Sequence, residues 1–111
     1  DRAEQNRDSV ASRQSSGQLL QRLPRKLPRN PQPIYPADAW RLGREGRVVL
    51  HVRVDIQGRV RDARVHSSSG TRALDQAALE AVRRWKFRPA LRGRRPVEHA
   101  VLVPVSFRIE R

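Results

Sequence analysis

The run from Val97 to Ile109 constrains the fold of this chain more than any other segment. Large apolar side chains occupy alternate positions along it: Val101, Val103, Val105, Phe107 and Ile109. This period of two predicts a strand with one buried face. Pro104 lies in its middle and has no N–H for a ladder, so the strand is predicted to lie at a sheet edge with residue 104 turned to the open side.

The open side of this strand has a predicted chemistry. Because the N–H and C=O of one residue point the same way, the odd positions from Val101 to Phe107 are expected to bond the neighbouring strand, and Leu102 and Ser106 to leave backbone groups unpaired. Such an edge is either protected and without a partner, or a site for a ligand that adds a strand. The residues alone leave both interpretations open.

Two more strands and a turn are predicted upstream. Valine and leucine alternate with other residues from Val48 to Val54, and Asp55–Gly58 is a turn in which glycine adopts a positive φ at low cost. Residues 59–67 return as the second arm of a hairpin. Val60 and the pair Ala63 and Val65 differ in parity, which indicates either a bulge or partial cover of both faces.

Two helices complete the pattern, which is typical of an α+β domain. A short helix over residues 37–42 follows Pro36. The main helix begins after the loop 67–71, has apolar residues at spacings of three and four as far as Trp85, and ends before Pro89. Arg83, Arg84 and Lys86 are expected in its last turn, and Trp40 and Trp85 in the core.

The residues before this domain predict a linker. Residues 1–23 are polar apart from three leucines, which indicates disorder or a marginal helix. Five of the eight prolines then fall between Pro24 and Pro36, which is typical of a semi-rigid, basic tether.

The net charge of +13 suggests a nucleic-acid-binding module as an alternative. Counted along the chain, the excess is +4 in residues 1–33 and +9 in residues 34–111, so it is expected to be spread over the surface. No nucleic-acid-binding motif accompanies it, and five aromatic residues make a poor base-stacking platform.

Catalysis and metal binding are not predicted. The chain has no cysteine, and its three histidines, His51, His66 and His99, share no metal-ligand spacing and are expected at solvated strand positions. His66 lies beside Ser67–Ser69 with Asp75 nearby, but one local loop provides neither a nucleophile elbow nor an oxyanion hole. We therefore expect no enzyme activity and no cofactor.

The assembled motifs, taken in order, resemble a known family, the C-terminal domain of TonB, the periplasmic energy transducer of Gram-negative bacteria. The residues that carry the resemblance are Gln32–Pro36 (QPIYP), Glu45-Gly46, Asp55–Val60 (DIQGRV), Ser68–Gly70, Leu74–Ala78 (LDQAA), Arg84–Ala90 (RWKFRPA) and Val103–Phe107 (VPVSF). The match spans about residues 32–110.

The resemblance implies two helices packed on a three-stranded antiparallel sheet with the last strand at an edge. It divides the chain into residues 1–31, a basic and largely flexible periplasmic linker, and residues 32–111, the C-terminal domain. In the family the last strand adds a short peptide, the TonB box of an outer-membrane TonB-dependent transporter, and the segment before the first helix contacts the same receptor. The residues expected to bind this partner are Gln32, Pro33, Ile34, Tyr35, Pro36, Val101, Leu102, Val103, Pro104, Val105, Ser106 and Phe107.

The resemblance also implies a role for the whole protein. It would be anchored in the inner membrane, work with ExbB and ExbD through an N-terminal anchor outside this sequence, and use proton-motive force to drive import of a siderophore, haem or cobalamin. A monomer or a weak dimer is expected, since an open edge can recruit a second copy. A TolA-like envelope binding domain and the basic nucleic-acid-binding module are the alternatives.

Overall fold

The computed structural model describes residues 19–110 of the chain. Within that range the elements are β1 Leu20–Arg22, β2 Arg25–Lys26, α1 Ala37–Arg41, β3 Gly46–Val54, β4 Val60–Ser67, α2 Arg72–Val82, β5 Phe87–Arg88, β6 Ala90–Arg92, β7 Arg95–Val97 and β8 His99–Phe107. The predicted α+β class, with two helices and antiparallel sheets, is confirmed.

The largest sheet has the order β4-β3-β8, and both of its strand pairs are antiparallel. β3 is the central strand, and its alternating apolar residues from Val48 to Val54 are fully buried. β8 pairs with β3 without interruption, from Gly46 opposite Phe107 to Val54 opposite His99. Among the described residues β8 has no partner on its other side, so it is an edge strand, as Pro104 predicts.

A bulge in β4 explains the parity of its apolar residues. Arg53 lies opposite Asp62, and the next residue of β3, Val54, lies opposite Val60, so Arg61 is one residue too many on the β4 side. The extra residue returns Val60 to the same face as the buried Ala63. Of the two explanations that the sequence leaves open, the bulge is therefore the one that the structure has.

The helices contribute unequally to the core. α2 buries Leu74, Ala78, Leu79 and Val82, and packs on β3 and β4. α1 has five residues and buries only Ala39. Trp40 is 55% exposed, so its predicted place in the core is wrong, because so short a helix presents only one small side chain to the sheet.

The main helix ends earlier than predicted. Its last residue is Val82, and the amides of Arg84 and Trp85 bond carbonyls three residues back, which tightens the chain into turns. Arg83, Arg84 and Lys86 therefore lie beyond the helix and not in its last turn. The chain becomes extended at Phe87, whose N–H bonds the carbonyl of Gly58 at 2.8 Å. Trp85 is 5% exposed, so its predicted burial is confirmed.

Two smaller antiparallel sheets join the N-terminal segment to the chain after α2. Their orders are β1-β6-β7 and β2-β5. We call residues 20–31 the strap. The strap falls within the segment that the sequence predicts to be a flexible linker, and its backbone pairs with residues 86–92. Residues 1–18 of the predicted linker lie outside the described residues.

Side chains reinforce the pairing of the strap. The Asn30 amide accepts from Lys86 N at 2.7 Å and donates to the carbonyls of Lys86 and Leu27 at 2.9 and 3.0 Å. The indole of Trp85 donates to the Pro31 carbonyl at 2.8 Å, and the ammonium of Lys26 lies 5.0 Å from the Trp85 ring centroid. These contacts satisfy backbone groups that an extended, proline-rich segment leaves unpaired within itself.

Asn30→Ala should loosen the strap without unfolding the domain. It removes three hydrogen bonds, each with a net contribution of about 1 kcal/mol, at a partly exposed site outside the largest sheet. We expect hydrogen exchange at Leu27 and Lys86 to accelerate at least roughly tenfold while the unfolding midpoint changes little. Asn30→Asp keeps the acceptor for Lys86 N and should give a smaller effect. Unchanged exchange at Leu27 would contradict this account of the strap.

Gly58→Ala should be the more damaging of two matched glycine substitutions. Gly58 has φ +83° and a Cβ there would lie 2.1 Å from the Phe87 carbonyl oxygen, whereas Gly43 has φ +71° and nothing within 4 Å. We expect Gly43→Ala to cost about 1 kcal/mol of unfolding free energy and Gly58→Ala about 3–5 kcal/mol. Urea denaturation measures both, and equal costs would show that Phe87 is not fixed against the turn.

Candidate functional site

The edge of β8 exposes its backbone and three side chains. Leu102, Pro104 and Ser106 point away from the core, and Leu102 is 48% exposed. The side chains of Val103, Val105 and Phe107 are buried, and Val101 is half-buried against them. A ligand at this edge therefore meets backbone groups and the even-numbered side chains, and not the odd-numbered ones.

The register with β3 assigns the directions of the backbone groups. Pro104 lies opposite Val49. Antiparallel pairs alternate between hydrogen-bonded and non-bonded types, and a proline fits the non-bonded type, in which N and C=O point away from the partner strand. By the same alternation, the backbone groups of Leu102 and Ser106 point to the open side. Between residues 102 and 106, the open edge thus offers N–H donors at residues 102 and 106, and carbonyl acceptors at residues 102, 104 and 106.

A groove of about 510 Å³ lies between this edge and the strap. One wall is formed by Pro104, Val105 and Ser106 of β8. The other is formed by residues 25–28 and 30–33 together with Trp85 and Arg88. Its size is that of sites that hold small ligands or short peptide segments.

Sequence reasoning missed the wall of the groove that the strap and Trp85 form. The strap reads as a proline-rich tether, and its partners at residues 86–88 are more than 50 residues away along the chain. The local signal that could have indicated the pairing of the strap is Asn30. Its side-chain amide donates to a backbone carbonyl and accepts from a backbone N–H, as a paired residue of a strand does.

The predicted contact segment Gln32–Pro36 is divided between two surfaces. Gln32 and Pro33 line the groove beside β8. Ile34 is 81% exposed and, with Pro36, lines a second groove of about 620 Å³ against the exposed face of α2. The structure therefore brings only part of the segment to the edge strand.

Tyr35 joins the contact segment to the end of the edge strand. Its ring meets that of Phe107 edge to face, with centroids 5.3 Å apart and an interplanar angle of 86°. Its hydroxyl donates to the carbonyl of Arg44. Burial, with a further contribution from the Glu45 carboxylate, raises the pKa of Tyr35. The hydroxyl is therefore a neutral donor, and Tyr35 links the contact segment to Phe107 and Arg44.

The positive charge is clustered in space, in contrast to the expectation of an even spread. The strap pairs with the chain after α2, so residues 19–30 and 83–97 form one surface, which we call the basic lobe. Its cations are Arg22, Arg25, Lys26, Arg29, Arg83, Arg84, Lys86, Arg88, Arg92, Arg94 and Arg95. These two ranges contain no Asp or Glu, whereas residues 31–82 and 98–110 carry nine cations and eight carboxylates. The count along the chain missed this because the two ranges are far apart in sequence.

The histidines and the serine loop do not assemble a catalytic site. His66 is exposed, but His51 and His99 are half-buried, so the expectation of solvated positions is wrong for those two. Asp75 accepts from Ser68 Oγ at 2.5 Å, Ser69 Oγ at 2.7 Å and Ser69 N at 2.9 Å. The carboxylate thus closes the loop before α2. Within residues 19–110, no group of three His, Cys, Asp or Glu side chains is close enough to hold a metal ion.

These hydrogen bonds set the charge state of Asp75. Burial acts to raise the pKa of its carboxyl, but the bonds from Ser68 and Ser69 outweigh burial and hold the pKa below its ordinary value. The loop rests on the start of β3, where a Cβ on Gly46 would lie 2.9 Å from Ser69 Cβ. Asp75 therefore has a structural role between the sheet and α2.

Neither helix in the described part of the chain is long and apolar enough to cross a membrane. The fold and the edge together define a small α+β domain with an accessible strand edge. The family model described as Gram-negative bacterial TonB protein C-terminal matches residues 31–109. This chain belongs to that family.

Individual relatives agree with the family model. The chain is 49% identical over 80 residues to Protein tonB2 of Pseudomonas aeruginosa, covering 72% of this chain and 30% of that protein. It is 44% identical over 79 residues to Protein TonB of Vibrio cholerae, covering 71% and 32%. The chain spans about a third of the length of these relatives.

A solved structure agrees with the fold. The solution NMR structure of the Pseudomonas aeruginosa TonB CTD matches with a TM-score of 0.65 and 31% identity, covering 79% of this chain and 88% of that chain. The resemblance that the motifs predict is thereby confirmed.

Asp75→Asn should destabilise the domain in a pH-dependent way. Because the folded pKa of Asp75 is lowered, its contribution is complete above the unfolded pKa of about 3.9 and is lost as pH falls through the folded pKa. We expect the substitution to cost about 2 kcal/mol at neutral pH, and the difference from the parent to shrink below about pH 4. Urea melts across pH measure this. Asp62→Asn, at an exposed position of β4, is the control; a pH-independent difference for Asp75→Asn would contradict the assignment.

Proposed function

We propose that this domain binds the TonB box of an outer-membrane TonB-dependent transporter by adding the peptide as a further strand on β8. The observation that carries the proposal is the edge itself, nine residues long and without a strand partner on one side among residues 19–110. Family membership supports it, since the matched relatives are TonB proteins. Strand addition uses backbone groups, which suits one domain that serves peptides of differing sequence.

The edge predicts how the added strand would pair. Between residues 102 and 106, the peptide finds three acceptors, at residues 102, 104 and 106, but two donors, at residues 102 and 106, because Pro104 has no N–H. One carbonyl of the peptide opposite Pro104 is then left to water or to the strap wall. The ladder is interrupted at that point, so the strongest pairing lies on the two sides of it.

The expected affinity is weak. Roughly four to six backbone hydrogen bonds at about 1 kcal/mol each are offset by several kcal/mol of association entropy. Dissociation constants in the micromolar range or above follow, near −8 kcal/mol or less favourable. Such a weak affinity suits a domain that must bind a transporter and then release it.

The contact segment would add to this site in two ways. Gln32 and Pro33 line the groove and would contact the docked peptide directly. Ile34, exposed beside α2, would contact the body of the receptor outside the groove. Tyr35 and Pro36 would act by holding this geometry, through Phe107 and through the start of α1 respectively.

The activity of the whole protein is part of the same proposal. We propose a periplasmic domain of a protein anchored in the inner membrane, where ExbB and ExbD supply energy from the proton-motive force through the anchor. The transporter would use that energy to import a siderophore, haem or cobalamin. The domain itself performs no chemistry in this scheme. The TonB family match favours it over the TolA-like alternative.

Ser106→Pro should weaken peptide binding selectively. It removes a donor on the open side while leaving the ladder to β3 intact, because Ser106 lies opposite Arg47 in a pair of the same non-bonded type as Pro104. We expect the Kd for a TonB-box peptide, measured by NMR titration of labelled protein, to rise at least about fivefold. Ser106→Ala, which keeps the N–H, should bind as the parent does.

Thermal unfolding of Ser106→Pro checks that the fold persists. Peptide binding of undiminished affinity in a folded Ser106→Pro variant would place the peptide elsewhere. Chemical shift changes confined to α2 and Ile34, without changes along β8, would do the same.

A further inference from the structure

The basic lobe is a surface that peptide docking on β8 leaves largely unused. We propose that it is a membrane-contact surface that binds the phosphate headgroups of an anionic phospholipid bilayer. The proposal rests on three features of the described residues: the separation of charge, the chemistry of the cations, and two exposed leucines among them.

The separation of charge is nearly complete. The lobe carries a net charge of +11 with no carboxylate, while the remainder of residues 19–110 is close to neutral. Nine of the eleven lobe cations are exposed, and only Arg22 and Arg92 are half-buried. The ion pairs within residues 19–110 all lie outside the lobe. A domain with one strongly positive end is oriented by a negatively charged surface, and each cation near such a surface adds to binding.

The cations suit phosphate. Nine of the eleven are arginines, whose planar guanidinium pairs with phosphate oxygens in two parallel hydrogen bonds. The lobe is also held in shape before any ligand binds. Arg22 donates to the Pro89 carbonyl at 3.2 Å, and Lys26 is fixed over Trp85. The pairing of the strap with residues 86–92 likewise fixes the backbone that carries these cations.

The leucines distinguish a bilayer from other polyanions. Leu19, just before the strap, and Leu23, within it, are each 52% exposed and lie on either side of the half-buried Arg22 in the sequence. Apolar side chains among arginines are typical of surfaces that enter the boundary between headgroups and acyl chains. On a nucleic acid backbone the same leucines gain nothing, because the phosphates offer no apolar region to bury them.

The lobe adjoins the peptide groove. Arg25, Lys26 and Arg88 belong to the lobe and also line the groove beside β8. A bilayer that holds the lobe would hold the edge of β8 close to the membrane surface. Under the proposed function this is where a transporter presents its peptide, although membrane contact itself does not depend on that function.

Vesicle co-sedimentation of the full chain tests the proposal. One set of vesicles contains phosphatidylglycerol with phosphatidylcholine, and the other phosphatidylcholine alone; duplex DNA is the third ligand. We expect binding to the anionic vesicles that weakens with salt, and none to phosphatidylcholine alone. Arg83→Gln/Arg94→Gln/Arg95→Gln should reduce partitioning about one hundredfold, at roughly fivefold for each cation. The matched control, Arg47→Gln/Arg64→Gln/Arg72→Gln, removes the same charge from exposed positions outside the lobe and should change partitioning less than about threefold.

The leucine pair gives an independent readout. Leu19→Ser/Leu23→Ser should reduce binding to anionic vesicles roughly tenfold or more and leave DNA binding unchanged. Equal losses in the two arginine variants would overturn the proposal, because net charge alone would then explain binding. Vesicle binding of the leucine variant that equals binding of the parent would overturn the membrane-contact proposal and indicate a general polyanion site. Peptide titrations of the same variants report on β8 separately, so failure of strand addition is not confused with failure of membrane contact.

Discussion

The backbone ladder between β3 and β8 is the interaction on which the rest of this domain depends. It joins nine residue pairs without a break and places Val48, Leu50 and Val52 of β3 opposite Val105, Val103 and Val101 of β8. The core forms on the face that these residues share with α2, and the ladder also leaves the far side of β8 unpaired within residues 19–110. Pro104 makes the arrangement one-sided, because a chain with proline at this position cannot accept β8 as a central strand without losing a hydrogen bond. Stability and an accessible edge therefore have the same origin.

A second constraint, the contact between Gly58 and Phe87, fixes the backbone outside the core. The turn at Gly58 approaches the backbone of Phe87 so closely that no side chain fits between them, and the N–H of Phe87 donates a hydrogen bond to the Gly58 carbonyl there. This contact ends the turns after α2, and residues 86–88, which we call the strip, are extended from there. The strap then pairs with that strip and supplies the second wall of the groove. A hairpin turn in the middle of the chain thus determines where an N-terminal segment lies.

Sequence reasoning succeeds where a periodic pattern coincides with the core and is less reliable where distant segments meet. The alternation in β3 and β8, the proline at the edge and the parity difference between Val60 and Ala63 are all local, and each is interpreted with the correct geometry or with the correct alternative included. The prediction for Trp40 is wrong because a five-residue helix cannot bury every apolar residue that its pattern contains. The predicted end of α2 lies too late because the hydrogen bond from Phe87 to Gly58 competes with helix propensity, and the sequence around Trp85 does not report that bond. The strap and the basic lobe needed pairings across more than 50 residues, which no local pattern reports.

The strap connects the two surfaces of the domain through shared residues. Lys26 and Arg25 face the groove beside β8 and belong to the positive end of the molecule, and Asn30 and Pro31 hold both in place through Lys86 and Trp85. A ligand that orders the strap at one surface therefore orders the wall of the other. Coupling of this kind is reciprocal, since a free energy that links two binding events is the same from either side. Its size is limited by the free energy that holds the strap, which is a few hydrogen bonds and one cation–π contact. The contacts between strap and strip, and not those of the core, thus set the upper limit on communication between the edge of β8 and the basic lobe.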